Sequence, residues 1–106
     1  MTLVDLLLAL ETISRGHPNR VLQLLGTVPS LEDPAQLDPF ELVIYRGFSS
    51  STTHPTAFDP DEVVLPQGVV LTAAQLLQGP LNPAHAIVLL GPEPVATFLS
   101  PERWDV

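Results

Sequence analysis

Residues 40–45 read Phe-Glu-Leu-Val-Ile-Tyr. In an extended chain Phe40, Leu42 and Ile44 project to one side and Glu41, Val43 and Tyr45 to the other, the period-2 pattern of a strand. Upstream, Arg20–Val28 is rich in leucine and valine and closes at Pro29. A helix is the alternative there, but the length suits a strand and Leu22, Leu24 and Val28 fall on one side. The intervening residues 29–39 contain three prolines and three acids. They read as an exposed connection longer than a tight turn, so the two strands are expected to pair antiparallel.

An apolar sheet face needs a covering layer, and residues 2–15 supply a helix. Thr2 and Asp5 form a Thr-x-x-Asp capping pair. Leu3, Leu6, Leu7, Leu10 and Ile13 form one helical face, widened by Val4 and Leu8, with Glu11, Thr12 and Ser14 outside it. Gly16 suits a left-handed position after the last turn, and Pro18 prevents continuation. His17 reads as a helix-end residue facing the C-terminal dipole. The Leu3–Leu10 run looks like the apolar core of a signal peptide, but Asp5 interrupts it, no basic residue precedes it and no small-x-small site follows, so an amphipathic helix of the folded domain is expected. It is also far short of the roughly 20 apolar residues that span a bilayer. A soluble, cytoplasmic chain is expected.

Downstream of Tyr45, residues 47–62 lack apolar periodicity and read as one long irregular segment, a length that in small domains often serves function. Val63–Leu65 suggests a short strand. Val69–Leu77 reads as a third strand, or a strand running into a turn, and Gln78-Gly79-Pro80 ends it. Asn82-Pro83 can start a helix over 83–90, but Ile87–Leu90 equally suits a strand. Pro94–Leu99 reads as a helical turn or two, and Trp104 is expected to pin the tail to the body. Twelve prolines in 106 residues, about twice the usual frequency, favour short elements with stiff connections over a helix bundle. The expected fold is α+β: an N-terminal amphipathic helix on a mainly antiparallel sheet of three to five strands, open or curled into a partial barrel, with short C-terminal helical turns. The chain is too short for a second core and is one domain, 1–106. Its core is expected from Leu3, Leu6, Leu7, Leu10, Leu22, Leu24, Leu42, Ile44, Val70 and Leu76.

Twelve acids oppose four basic residues, for a net charge of −8. All four basic residues are arginines: Arg15, Arg20, Arg46 and Arg103. That balance argues against a nucleic-acid binder and against docking on an anionic membrane through a basic patch. There is no cysteine, which removes disulfide, thiolate-zinc, iron–sulfur and thiol-nucleophile chemistry.

The chemically suggestive stretch is Ser49, Ser50, Ser51, Thr52, Thr53, His54 and Thr56 behind Arg46 and Gly47. Hydroxyls and turn amides there can cradle an anion, with Arg46 supplying charge; equally, the hydroxyls can satisfy their own loop. No Gly-Lys-Ser/Thr of a P-loop follows. A Ser–His–Asp site from Ser49, Ser50 or Ser51 with His54 and Asp59 lacks a Gly-x-Ser-x-Gly elbow. His17, His54, His85, Asp59, Asp61 and Glu62 lack metal-ligand spacing, and Asp59–Glu62 reads as a solvated acidic turn. No catalytic residue, metal or cofactor is assigned. The acids Glu32, Asp33, Asp38, Glu41, Asp59, Asp61 and Glu62 serve either solubility or a negative docking face. Phe48, Phe58 and Trp104 suit the core or a partner interface.

Ile44-Tyr45-Arg46-Gly47-Phe48-Ser49-Ser50, then Pro55-Thr56-Ala57, Asp59-Pro60 and Leu65-Pro66, with Gln78–Pro83 as a second patch, resemble a family of small domains of unknown function from cyanobacteria and chloroplasts. The likeness covers roughly residues 20–83. It implies an oxygenic phototroph and a role around the photosynthetic apparatus, and it favours the strand reading of 20–28. It implies no reaction. The expectation is a non-enzymatic interaction module, an accessory, assembly or regulatory factor. It would bind a protein partner through Arg46, Gly47, Phe48, Ser49, Ser50, Ser51, Thr52, Thr53, His54 and Phe58. No nucleic acid and no membrane-spanning segment are expected; a peripheral place at the thylakoid membrane is an option. The alternative is a phosphate- or anion-binding protein, or an enzyme, using the same loop.

Overall fold

The computed structural model describes residues 2–30, 32–33, 35–51, 68–80 and 84–105. The expected short strand at 63–65, and Thr52, Thr53, His54 and Phe58, lie outside the described residues. The order is helix α1 (Leu3–Arg15), strands β1 (Arg20–Pro29), β2 (Leu37–Tyr45), β3 (Phe48–Ser51), β4 (Val70–Gln78) and β5 (Val88–Glu93), then 3₁₀ turns Val95–Leu99 and Pro101–Trp104. The strands form one open antiparallel sheet in the order β3-β2-β1-β4-β5. The α+β expectation holds at the five-strand end of its range.

The helix begins where the capping pair places it. Thr2 Oγ1 accepts from the Asp5 amide at 3.1 Å, and the Asp5 carboxylate accepts from the Thr2 amide at 3.4 Å. Its end differs from expectation. Gly16 is right-handed, at φ −80°, and its amide donates to Ile13 O. The His17 amide closes a second tight bond to Ser14 O before Pro18 stops the helix.

One sheet face carries the core. Leu22 and Leu24 on β1 lie between Ile44 and Leu42 on β2 and Leu76 and Ala74 on β4. Leu7 and Leu10 of the helix, with Val95, Phe98 and Trp104 of the tail, close over them. Trp104 is fully buried and its indole N–H donates to Phe98 O at 2.9 Å, which fixes the tail as anticipated.

Two expected core residues lie elsewhere. Leu3 is at the solvent-facing start of the helix, and Val70 is 57% exposed. A β-bulge between Leu25 and Gly26 shifts the β1–β4 register, so Val69 is buried in its place. At that bulge a Cβ on Gly26 would lie 2.1 Å from Val70 O. Strand β2 starts at Leu37, three residues into the expected connection. Pro39 lies opposite Thr27 of β1, and the described β2–β3 pairs run from Leu42 to Tyr45. The strand reading of 87–90 holds for Val88–Leu90 and continues to Glu93.

The segment expected to be irregular from residue 47 is instead a strand over Phe48–Ser51. Four sequential β2–β3 pairs, Tyr45↔Phe48 to Leu42↔Ser51, extend the sheet across it. A polar strand is stable there because its neighbour, not its own apolar pattern, supplies the pairing.

Candidate functional site

Tyr45 and Phe48 pair across a two-residue turn, Arg46-Gly47, with φ of 52° and 85°. Positive φ at both central positions defines a type I′ hairpin, whose twist matches that of its strands. Gly47 meets that demand freely; Arg46 does so against its side chain's steric preference. Two contacts offset the strain. Arg46 Nε donates to Pro18 O at 3.2 Å, and the guanidinium lies 4.9 Å from the Tyr45 ring centroid.

The helix holds the hairpin from beneath. Glu11, Ser14 and Arg15, spaced i, i+3, i+4, meet it together. Ser14 is fully buried and its Oγ accepts from the Gly47 amide at 3.1 Å. Ser49 Oγ donates to Glu11 Oε2 at 2.7 Å. The Arg15 stem lies so close to Gly47 that a Cβ there would fall 2.5 Å from Arg15 Cγ. Ser14, placed outside the helix stripe by its polarity, therefore belongs to it. Leu7, Leu10 and Ser14 are the buried positions of α1, and a small hydroxyl at the i+7 position was the available signal.

This geometry redistributes the expected site residues. Arg46 and Phe48 are exposed on either side of Gly47 at the tip, Phe48 by 78%. Gly47 is buried as the pivot. Ser49 and Ser50 pair with Ile44 and Val43, so the strand's alternation sends their hydroxyls to opposite faces. Ser49 is committed to a carboxylate. The described hydroxyls therefore do not converge on one point, as an anion cradle would need.

On the sheet face opposite the helix, the register aligns Phe48, Tyr45, Val21, Leu77 and Val88 in a row across all five strands. Val21 and Leu77 are buried with Tyr45 packed against them, and the ends of the row, Phe48 and Val88, are exposed. Gly79 permits this packing: a Cβ there would come within 3.1 Å of the Tyr45 ring and the Asn19 backbone.

Beside the hairpin, His17, Pro18, Asn19, Arg20, Trp104 and Asp105 line an open cleft of about 170 Å³. His17 bridges the helix end and the tail. Its Nδ1 is 3.0 Å from Ile13 O, its Nε2 is 3.0 Å from Asp105 Oδ1, and its ring lies against Trp104 at 5.7 Å between centroids. The helix-end role expected for His17 is thus met by a direct contact with a last-turn carbonyl. His85 is exposed in the segment before β5; the remaining candidate metal ligands and the His54 and Asp59 of the nucleophile reading lie outside the described residues. Among the described residues no helix is long and apolar enough to cross a membrane.

No curated protein and no solved structure matches the chain. One family does, over residues 7–91, a span from the buried helix face through the hairpin to β5. The chain belongs to that family, described as Domain of unknown function (DUF7734).

Proposed function

We propose that the protein is a non-enzymatic interaction module that grips a protein partner with the β2–β3 hairpin tip, Arg46 and Phe48 foremost. The observation behind this reading is Phe48, a large aromatic 78% exposed on a turn that is anchored from below. Exposed apolar residues scattered singly are ordinary. An aromatic and a fixed arginine on one rigid support are the chemistry of interface hot spots, because little conformational freedom is lost when a partner covers them. The finer part of the proposal, an accessory or assembly factor of the photosynthetic apparatus in an oxygenic phototroph, working in the cytoplasm or peripherally at the thylakoid, is supported by the resemblance of the 44–66 motif. The phosphate-cradle alternative has less support, since Ser49 and Ser50 diverge.

The test is capture of partners by tagged protein from soluble and membrane fractions, comparing wild type with Arg46→Asn and Phe48→Thr. Asn tolerates the left-handed turn position and Thr suits a strand, so both variants keep the hairpin. A stoichiometric partner lost from both variants is the expected result. Undiminished capture by both variants overturns the reading.

A further inference from the structure

We propose that the hairpin end of the molecule is a docking site for an acidic, carboxylate-bearing segment of the partner protein, received by Arg15 and Arg46 with Phe48 as its apolar contact. This deepens the interaction reading and rests on it.

The chain has only four basic residues against twelve acids, yet three of the four meet at one end. Arg15 closes α1, Arg20 opens β1 and Arg46 sits in the β2–β3 turn. The antiparallel register brings these positions together, with the Arg15 stem on Gly47 and Arg46 Nε on Pro18 O. The opposite end of the sheet carries Glu32, Asp33 and Asp38, around the β1–β2 connection. Glu11 and Asp105 also lie at the hairpin end, so among the described residues the arginines gather there beside two carboxylates, while the opposite end carries acids.

Among the described residues no carboxylate pairs with Arg15 or Arg46, and Asp105 is engaged by the His17 ring. Glu11 is the residue that ordinarily would pair with Arg15, four positions before it on the same helix face. Its carboxylate instead accepts from Ser49 Oγ at 2.7 Å. Glu11 is thus engaged by the hairpin, and the Arg15 stem lies on Gly47, the residue after Arg46. With Nε of Arg46 engaged by Pro18 O, its two terminal nitrogens present an end-on fork that matches a carboxylate.

The net charge selects the occupant. An extended polyanion would run past the arginines onto a body of charge −8, and repulsion acts over a Debye length of about 8–10 Å. A short acidic segment that crosses the turn confines its carboxylates to Arg15 on the helix side and to Arg46, and can lay an apolar side chain on Phe48 on the opposite face. A free phosphate has no use for Phe48.

The experiment is a ¹⁵N-resolved NMR titration of the whole chain with the peptide acetyl-Glu-Glu-Leu-Glu-Glu-amide and its Gln-Gln-Leu-Gln-Gln counterpart. Inorganic phosphate is a third ligand, and wild type, Arg15→Gln/Arg46→Asn and Phe48→Thr are compared. Saturable shifts at Arg15, Gly47 and Phe48 with the acidic peptide alone are expected. Each lost arginine should weaken binding about two- to fivefold, as exposed charge pairs do, and added salt should weaken it further. The inference is overturned by no saturable shift, by equal shifts with the glutamine peptide or in the double variant, or by phosphate displacing the peptide at lower concentration. It is also overturned if light scattering shows self-association that the double variant abolishes, since the occupant is then a second copy. Capture that needs Phe48 alongside a silent peptide titration removes this inference and leaves the interaction reading standing. Capture indifferent to both tip residues removes both.

Discussion

Replacing Gly47 by alanine tests the hairpin's architecture. Two costs compete. An L-residue at φ 85° is disfavoured by about 1–2 kcal/mol. The new Cβ would also lie 2.5 Å from Arg15 Cγ and 2.6 Å from Arg15 Nε. Those atoms belong to an exposed, flexible side chain, which can swing away for little. The alternative response, moving the turn, would break the Gly47 amide bond to buried Ser14 Oγ, at about 1–3 kcal/mol. The cheapest route is displacement of Arg15 with the backbone strain retained, so Gly47→Ala should cost about 1–2 kcal/mol, with Tm falling about 4–8 °C per kcal/mol. Urea unfolding followed by fluorescence of Trp104, the single and fully buried tryptophan, reads this directly. Adding Arg15→Ala should restore less than about 0.5 kcal/mol, because it relieves contact and not dihedral strain. Gly16→Ala is the control. Gly16 is at φ −80° and its Cβ would meet nothing nearer than 3.5 Å, so stability should hold or rise by up to about 1 kcal/mol. Full rescue by Arg15→Ala, or a Gly47→Ala protein as stable as wild type, would refute the left-handed type I′ turn as the source of the cost.

Three further outcomes follow from the same contacts. Ser14→Ala strips the buried Gly47 amide of its acceptor and should lose about 1–3 kcal/mol in urea unfolding; no change would mean the hairpin is not held there. Gly26→Ala puts a Cβ 2.1 Å from Val70 O, a backbone atom that cannot swing aside, and should cost about 1–3 kcal/mol or more; a loss below about 0.5 kcal/mol would contradict the close β1–β4 approach. Trp104→Ala should cost about 3–5 kcal/mol, read by circular dichroism, and raise amide exchange across Val95–Leu99, which rests on the ring's bond to Phe98 O; unchanged exchange there would show the tail is held some other way.

Local sequence alone determined the helix with its Thr2–Asp5 box, strand β2 and most of the inward leucines; for β1 it favoured a strand with a helix as the alternative, and the strand is what forms. Each depends on near neighbours: a cap on its own turn, an alternation within one strand. The α+β class followed, because an apolar helix stripe and an alternating sheet face have to cover one another. Tertiary structure decided the rest. The Gly26 bulge, which exchanges Val70 for Val69 in the core, is set by strand β4 some 44 residues away in the chain. Phe48–Ser51 has no apolar alternation to announce a strand and becomes one by pairing with β2. Arg46-Gly47 lacks the usual Asn-Gly form of its turn, and what stabilises an arginine there is Pro18 O and the Tyr45 ring. For the candidate site, Arg46 and Phe48 could be named in advance as charged and aromatic residues on one short stretch. Their exposure on either side of Gly47, the burial of Ser14 and the engagement of Glu11 by Ser49 arise only when the hairpin docks on the helix. They depend on contacts 33 and 38 residues apart in the chain, a separation that periodicity and spacing do not register.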